Sequence, residues 1–156
     1  MKIKLIVVGE KMPKWVKEAC GEYSKRLLSS DLKIQIIEIP TAKRSKAISK
    51  AKLLNQEYKM ILDKVDQSDY MIILDPKGDN VSTEEMAKKI DRWKSSNPKL
   101  SIIIGGPDGI DDELKRMANE KIALSKMTFP HPIARLIILE QIYRCSSILS
   151  GHPYHK

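Results

Sequence analysis

Cysteine is nearly missing: Cys20 and Cys145 are the only two in 156 residues. Two thiols on different expected helices do not make the disulfide framework of a small secreted domain. With no signal-like start, the expected location is the reducing cytoplasm. Aromatic residues are scarce too, with one Phe and two Trp, which argues against a sheet that stacks RNA bases on aromatic rings. No apolar run approaches the roughly 18 residues that a membrane-spanning helix needs. His131 stands alone, His152 and His155 lie on a proline-containing tail, and no Cys or acid sits at ligand spacing, so no metal is expected. Nucleotide and hydrolase signatures are also wanting. There is no G-x-G-x-x-G, no Gly-Lys-Ser/Thr after the glycines and no G-x-S-x-G.

What is present is a foldable, basic chain. It is 42% hydrophobic and 31% charged, enough apolar residue for a core of ordinary single-domain size. Lys and Arg number 28 against 20 Asp and Glu, a formal net charge of +8, which favours a polyanionic partner. Residues 1–78 hold 16 basic and 10 acidic side chains and residues 79–156 hold 12 and 10, so the excess lies in the first half. It is densest over residues 43–59, six basic residues against the single acid Glu57. Such a run is more often a solvated helix face than a binding site, yet its position fits a nucleic-acid footprint.

Apolar runs alternate with helical stretches. Lys2–Val8, Lys33–Ile39, residues 70–74, residues 100–104 and a short run at 121–124 read as strands. Residues 14–28 read as a helix opened by Pro13, with Trp15, Ala19, Tyr23 and Leu27 on one face. Residues 45–64 form a charged helix with a thin apolar stripe. Asp75-Pro76-Lys77-Gly78 reads as a turn, and Ser82 with Glu85 as the capping box of a helix to about Lys94. Asp111, Asp112 and Glu113 start a further helix where its dipole favours them. Strands alternating with helices predict one α/β domain over residues 1–156, a mostly parallel sheet with helices on both faces. The last helix, His131–Leu149, is apolar around nearly its whole circumference, which predicts a homodimer interface.

Gly105-Gly106-Pro107-Asp108-Gly109 follows a strand directly, at the edge where open α/β sheets bind ligands. Residues 124–132 (LSKMTFPHP) form a loop in which Met127 and Phe129 should be partly buried, as in loops that carry function. The runs IIGGPDG, LSKMTFPH, Arg135, EQIYR and GHPYHK, in this order and spacing, resemble the SPOUT methyltransferases over the whole chain. The likeness is most specific over residues 102–156. It implies a C-terminal trefoil knot, a dimer, and S-adenosyl-L-methionine held bent in the knot without a metal. It also implies transfer to N3 of a pseudouridine in a 23S rRNA stem-loop on the assembled ribosome. By motif position, Leu74, Gly105, Leu124, Ser125, Lys126, Met127, Thr128 and Phe129 would hold the cofactor. His155, Tyr154 and Arg135 are the candidate catalytic residues, with His131 a further possible base. A tRNA substrate and a non-catalytic RNA-binding module are the alternatives.

Overall fold

The computed structural model describes residues 1–45, 47–97 and 99–155, without the side chain of His155. Five strands alternate with five helices: β1 (Lys2–Val8), α1 (Lys14–Leu27), β2 (Lys33–Ile39), α2 (Lys50–Leu62), β3 (Tyr70–Asn80), α3 (Thr83–Ser96), β4 (Lys99–Ile104), α4 (Asp112–Met117), β5 (Glu120–Ala123) and α5 (His131–Leu149). A 3₁₀ turn, Pro153–His155, follows. The strands form one sheet in the order β2-β1-β4-β3-β5, and every pairing is parallel. The expected parallel α/β architecture is therefore present.

Alternation along the strands builds two cores. Ile3, Leu5 and Val7 of β1, Ile72 of β3 and Leu100, Ile102 and Ile104 of β4 pack under α1, α3 and α5. Ile6, Val8, Met71, Ile73 and Ile103 take the other face, covered by Ile61 of α2 and Leu114 of α4. A sheet covered on both faces explains why its central strands read as unbroken apolar runs.

Three details differ from the sequence reading. The 75–78 segment is not a turn that ends β3. The strand runs on to Asn80, with Leu74 and Asp79 both opposite Ile122, so residues 75–78 are a bulge out of the β5 ladder. Gly78 makes this possible, because a Cβ there would lie 2.7 Å from the backbone N of Ile122. The second helix begins at Lys50, capped by Ser49, whose side chain accepts from the Lys52 N–H; Ser45 and residues 47–49 are outside it, and Lys46 lies outside the described residues. On α1 the buried residues are Val16, Cys20 and Leu27, while Trp15 is 55% exposed. Both cysteines are buried and free.

Candidate active site

All strands point the same way, so their carboxyl ends and the loops that follow share one edge of the sheet. A cleft of about 270 Å³ opens there, lined by Leu74, Asp75 and Pro76 from β3, Ile104 to Pro107, Gly109 and Ile110 after β4, Leu124, Ser125 and Met127 to Phe129 after β5, and His131 and Ala134 of α5. Seven of the eight residues expected to hold the cofactor line it; Lys126 is exposed and does not. Leu74 is the last residue paired to β4 and to β5 before the bulge. The next two residues, Asp75 and Pro76, leave both ladders and line the cleft.

The glycine turn is closed by protein. Gly109 N–H donates to Gly106 O at 3.0 Å, and Gly109 has φ +95°, a left-handed conformation that favours glycine. A Cβ at Gly105 would collide with Ile110 and lie 2.7 Å from Gly109 O. Gly105 is therefore small because its own loop folds back on it. After β5, Ser125 Oγ accepts from the Met127 N–H at 2.9 Å. Phe129 is half-buried as expected, but Met127 is 72% exposed, so it forms the outer lip of the cleft.

Two titratable groups flank the walls. Burial works against ionisation of Asp75, but the Lys77 N–H and the Lys115 ammonium together hold its carboxyl below the usual range. Its bond to Lys115 measures 3.0 Å. His131 is pushed below its ordinary value by burial first and the Arg44 guanidinium second. It is a neutral imidazole at physiological pH.

Of the three candidate catalytic residues, neither Arg135 nor Tyr154 lines this cleft. Arg135 is buried and ion-paired to Glu38, and its other Nη donates to Gly9 O at 3.0 Å. It staples α5 to the carboxyl ends of β1 and β2, and its Nε has no partner among the described residues. Tyr154 lies on the seam of α1 and α5. Its ring meets Tyr143 edge-on at 4.6 Å, and its hydroxyl donates to Glu140 at 3.3 Å and shares a 3.3 Å bond with Tyr23. The bond to Tyr23, then burial, push its pKa up to about 12. The side chain of His155, and Lys156 altogether, lie outside the described residues. Sequence reasoning missed Glu57, a buried carboxylate under the glycine turn whose Oε1 accepts from the Ala42 N–H at 3.0 Å. Its only sequence signal was being the lone acid of a basic run.

The chemistry fits a group with a flat apolar part and polar ends. Leu74, Ile104, Ile110, Leu124 and Phe129 supply apolar walls, and the glycine turn, the bulge and the 124–129 loop supply main-chain groups. The family model described as a predicted SPOUT methyltransferase matches residues 1–155, and the chain belongs to that family. Membership implies the trefoil knot. Relatives named ribosomal RNA large subunit methyltransferase H are similar over the whole length. The protein of Francisella tularensis subsp. novicida is 53% identical over 156 residues, covering 100% of both chains. Those of Hahella chejuensis and Pseudomonas putida strain W619 are 41% and 42% identical over 156 residues, covering 100% of this chain and 99% and 100% of theirs. No helix among the described residues is long and apolar enough to cross a membrane.

Proposed function

We propose that this chain, acting as one domain, transfers the methyl group of S-adenosyl-L-methionine to N3 of a pseudouridine in a 23S rRNA stem-loop on the assembled ribosome. The observation that carries this is the full-length similarity to relatives named for large-subunit rRNA methylation, one of them 53% identical. The cleft at the carboxyl edge supports it, since seven residues expected from the family motifs converge there. A sulfonium-bound methyl group is already activated for transfer. The protein's share is then to orient and to keep water out. Leu74, Leu124 and Phe129 enclose the apolar part, main chain at Gly105 and from Ser125 to Thr128 meets the polar ends, and Lys126 closes the loop from outside.

The imide proton of the acceptor must also leave, and His155 and Tyr154 are the residues proposed to take part. Within one chain Tyr154 occupies the α1–α5 seam beside Glu140 and Tyr143, whereas α5 meets the cleft at His131 and Ala134. Glu140 lies six residues past Ala134, about 9 Å along the helix and on another face. The tail is therefore proposed to serve the cleft of a second subunit in a homodimer, with Arg135 bracing α5 rather than touching the acceptor.

The test is methyl transfer from labelled S-adenosylmethionine to ribosomes of a strain lacking this gene, followed by mass mapping of the rRNA. One methylated pseudouridine in 23S rRNA is expected. Transfer to tRNA alone would replace the substrate, and RNA binding without transfer would leave a non-catalytic module.

A further inference from the structure

We propose that the rim of the cleft, formed by Lys11, Lys43, Arg44, Lys77 and Lys126, is the surface on which the substrate RNA lays its phosphates while the target base enters between them. This rests on the RNA-methyltransferase reading above and adds to it which face meets RNA and through which side chains.

Topology gathers the rim. Lys11 follows β1, Lys43 and Arg44 follow β2, Lys77 sits in the β3 bulge and Lys126 follows β5, so four separate loops bring cations to the edge where the cleft opens. All five residues are exposed. Among the described residues Lys11, Lys43, Lys77 and Lys126 make no ion pair with a carboxylate. The opposite edge differs. Lys2, Lys33 and Lys99 lie in register there. Lys2 and Lys33 make no ion pair among the described residues either, but acids hold the lysines around them: Asp66 and Asp69 hold Lys4, Asp66 reaches Lys99, and Asp31 holds Lys94.

Residues 42–44, after β2, are built to stay in place. Ala42 is buried, and its N–H donates to Glu57, itself 4% exposed. The other oxygen of Glu57 lies 2.9 Å from where a Cβ on Gly106 would be. Two residues on, Arg44 Nη2 bonds Asp108 of the glycine turn at 2.7 Å. Lys43 is thus exposed between two anchored neighbours that both lead to the cleft wall. The main chain that carries Lys43 is already ordered, and less backbone freedom is lost when its ammonium meets a phosphate. The Arg44–Asp108 pair is partly solvated, with side chains 45% and 32% exposed. Pairs of that kind are weak, and an RNA phosphate can take the place of Asp108. Contacts to phosphate position RNA without reading its sequence, which leaves the choice of base to the cleft.

The experiment compares two charge reversals in the full-length protein. Lys43→Glu with Lys77→Glu alters the rim, and Lys2→Glu with Lys33→Glu alters the opposite edge. Both take the net charge from +8 to +4. Calorimetry with S-adenosylhomocysteine reports whether each variant is folded with its cleft intact, and Lys43→Gln with Lys77→Gln substitutes if the rim reversal fails that check. Co-sedimentation with ribosomes lacking the modification is then followed from about 50 to 200 mM salt. The rim variant is expected to keep its affinity for S-adenosylhomocysteine within about twofold. It should lose ribosome affinity at least about tenfold, with a shallower salt slope by roughly 1.5 to 2, while the opposite-edge variant follows the wild type. Equal losses in both variants, or a rim variant with wild-type slope and affinity, would overturn the rim. If the wild type neither binds nor methylates ribosomes, the RNA-methyltransferase reading falls and the rim with it. That result is distinct from a wild type that methylates beside an unaffected rim variant.

Discussion

Glu57 and Gly106 are a lock and its clearance. A buried carboxylate is costly unless hydrogen-bonded, and here it caps the Ala42 N–H at 3.0 Å while resting against the Gly106 α-carbon. Glu57→Ala leaves that N–H buried and unmet, so urea unfolding should show a loss of about 1–3 kcal/mol. Glu57→Gln keeps an acceptor and should lose less. Gly106→Ala puts a methyl 2.9 Å from Glu57 Oε2 and 3.1 Å from Val8 Cγ1; about 1–3 kcal/mol of overpacking is expected, with weaker binding of S-adenosylhomocysteine. His131 gives a pH signature. Its folded-state pKa lies below its ordinary value of 6.5 because of burial and then Arg44. The unfolded chain thus binds the proton more readily, and stability rises with pH through this range. The contribution is whole above about pH 7 and is lost as pH falls through 6.5 towards the folded value. Thermal melts from pH 8 to 5 should fall less steeply for His131→Asn than for the wild type. Parallel curves would show that another group carries the loss.

Among the elements, α5 is the one proposed to carry a dimer. Its inner face, Ile138, Leu139, Ile142 and Cys145, is fully buried within one chain. Ile133 and Ile137, one turn apart, are half-buried and belong to neither core cluster, which leaves an apolar strip for a second copy. Ile137→Asp should turn the proposed dimer into a monomer in sedimentation with only a small change in melting temperature. A wild type that sediments at 17.8 kDa at micromolar concentration would refute the dimer itself. The all-round apolar composition of this helix was legible in the sequence, as were all five strands, because a doubly covered sheet writes itself as apolar runs. The face of α1 was not. Residues 15, 19, 23 and 27 advance by four, which drifts about 40° per step at 3.6 residues per turn. Val16, Cys20, Tyr23 and Leu27 alternate steps of four and three and stay on one line, so Trp15 is left in solvent. The bulge at 75–78 was hidden for another reason. Pro76 and Gly78 are turn residues locally, and only the approach of β5 at Ile122 shows that the strand resumes.

At the scale of the whole molecule, the cleft was readable from motif order, since its walls come from three strand ends that any parallel sheet places together. The position of the tail was not, because it depends on tertiary contacts with α1 and α5. Tyr154 is held by Tyr143, Tyr23 and Glu140, with the Arg144 guanidinium 5.0 Å from its ring. Deleting residues 152–156 removes that aromatic contact, for which about 0.5–1.5 kcal/mol is expected, a visible but small drop in melting temperature. Methylation should fall by far more, because the proposed proton acceptor and the cover over the acceptor base go with it. Mixing chains decides whose cleft the tail serves. One parent lacks residues 152–156. The other carries Phe129→Asp, which sets a charge in the apolar wall and disables its own cleft. If each tail serves its neighbour, a mixed dimer holds one complete site, made from the intact cleft of the first parent and the intact tail of the second. Random pairing makes half the dimers mixed, so about a quarter of wild-type activity should return after the inactive parents are unfolded and refolded together. If the tail serves its own cleft, no mixed dimer has a complete site and the mixture stays as inactive as either parent.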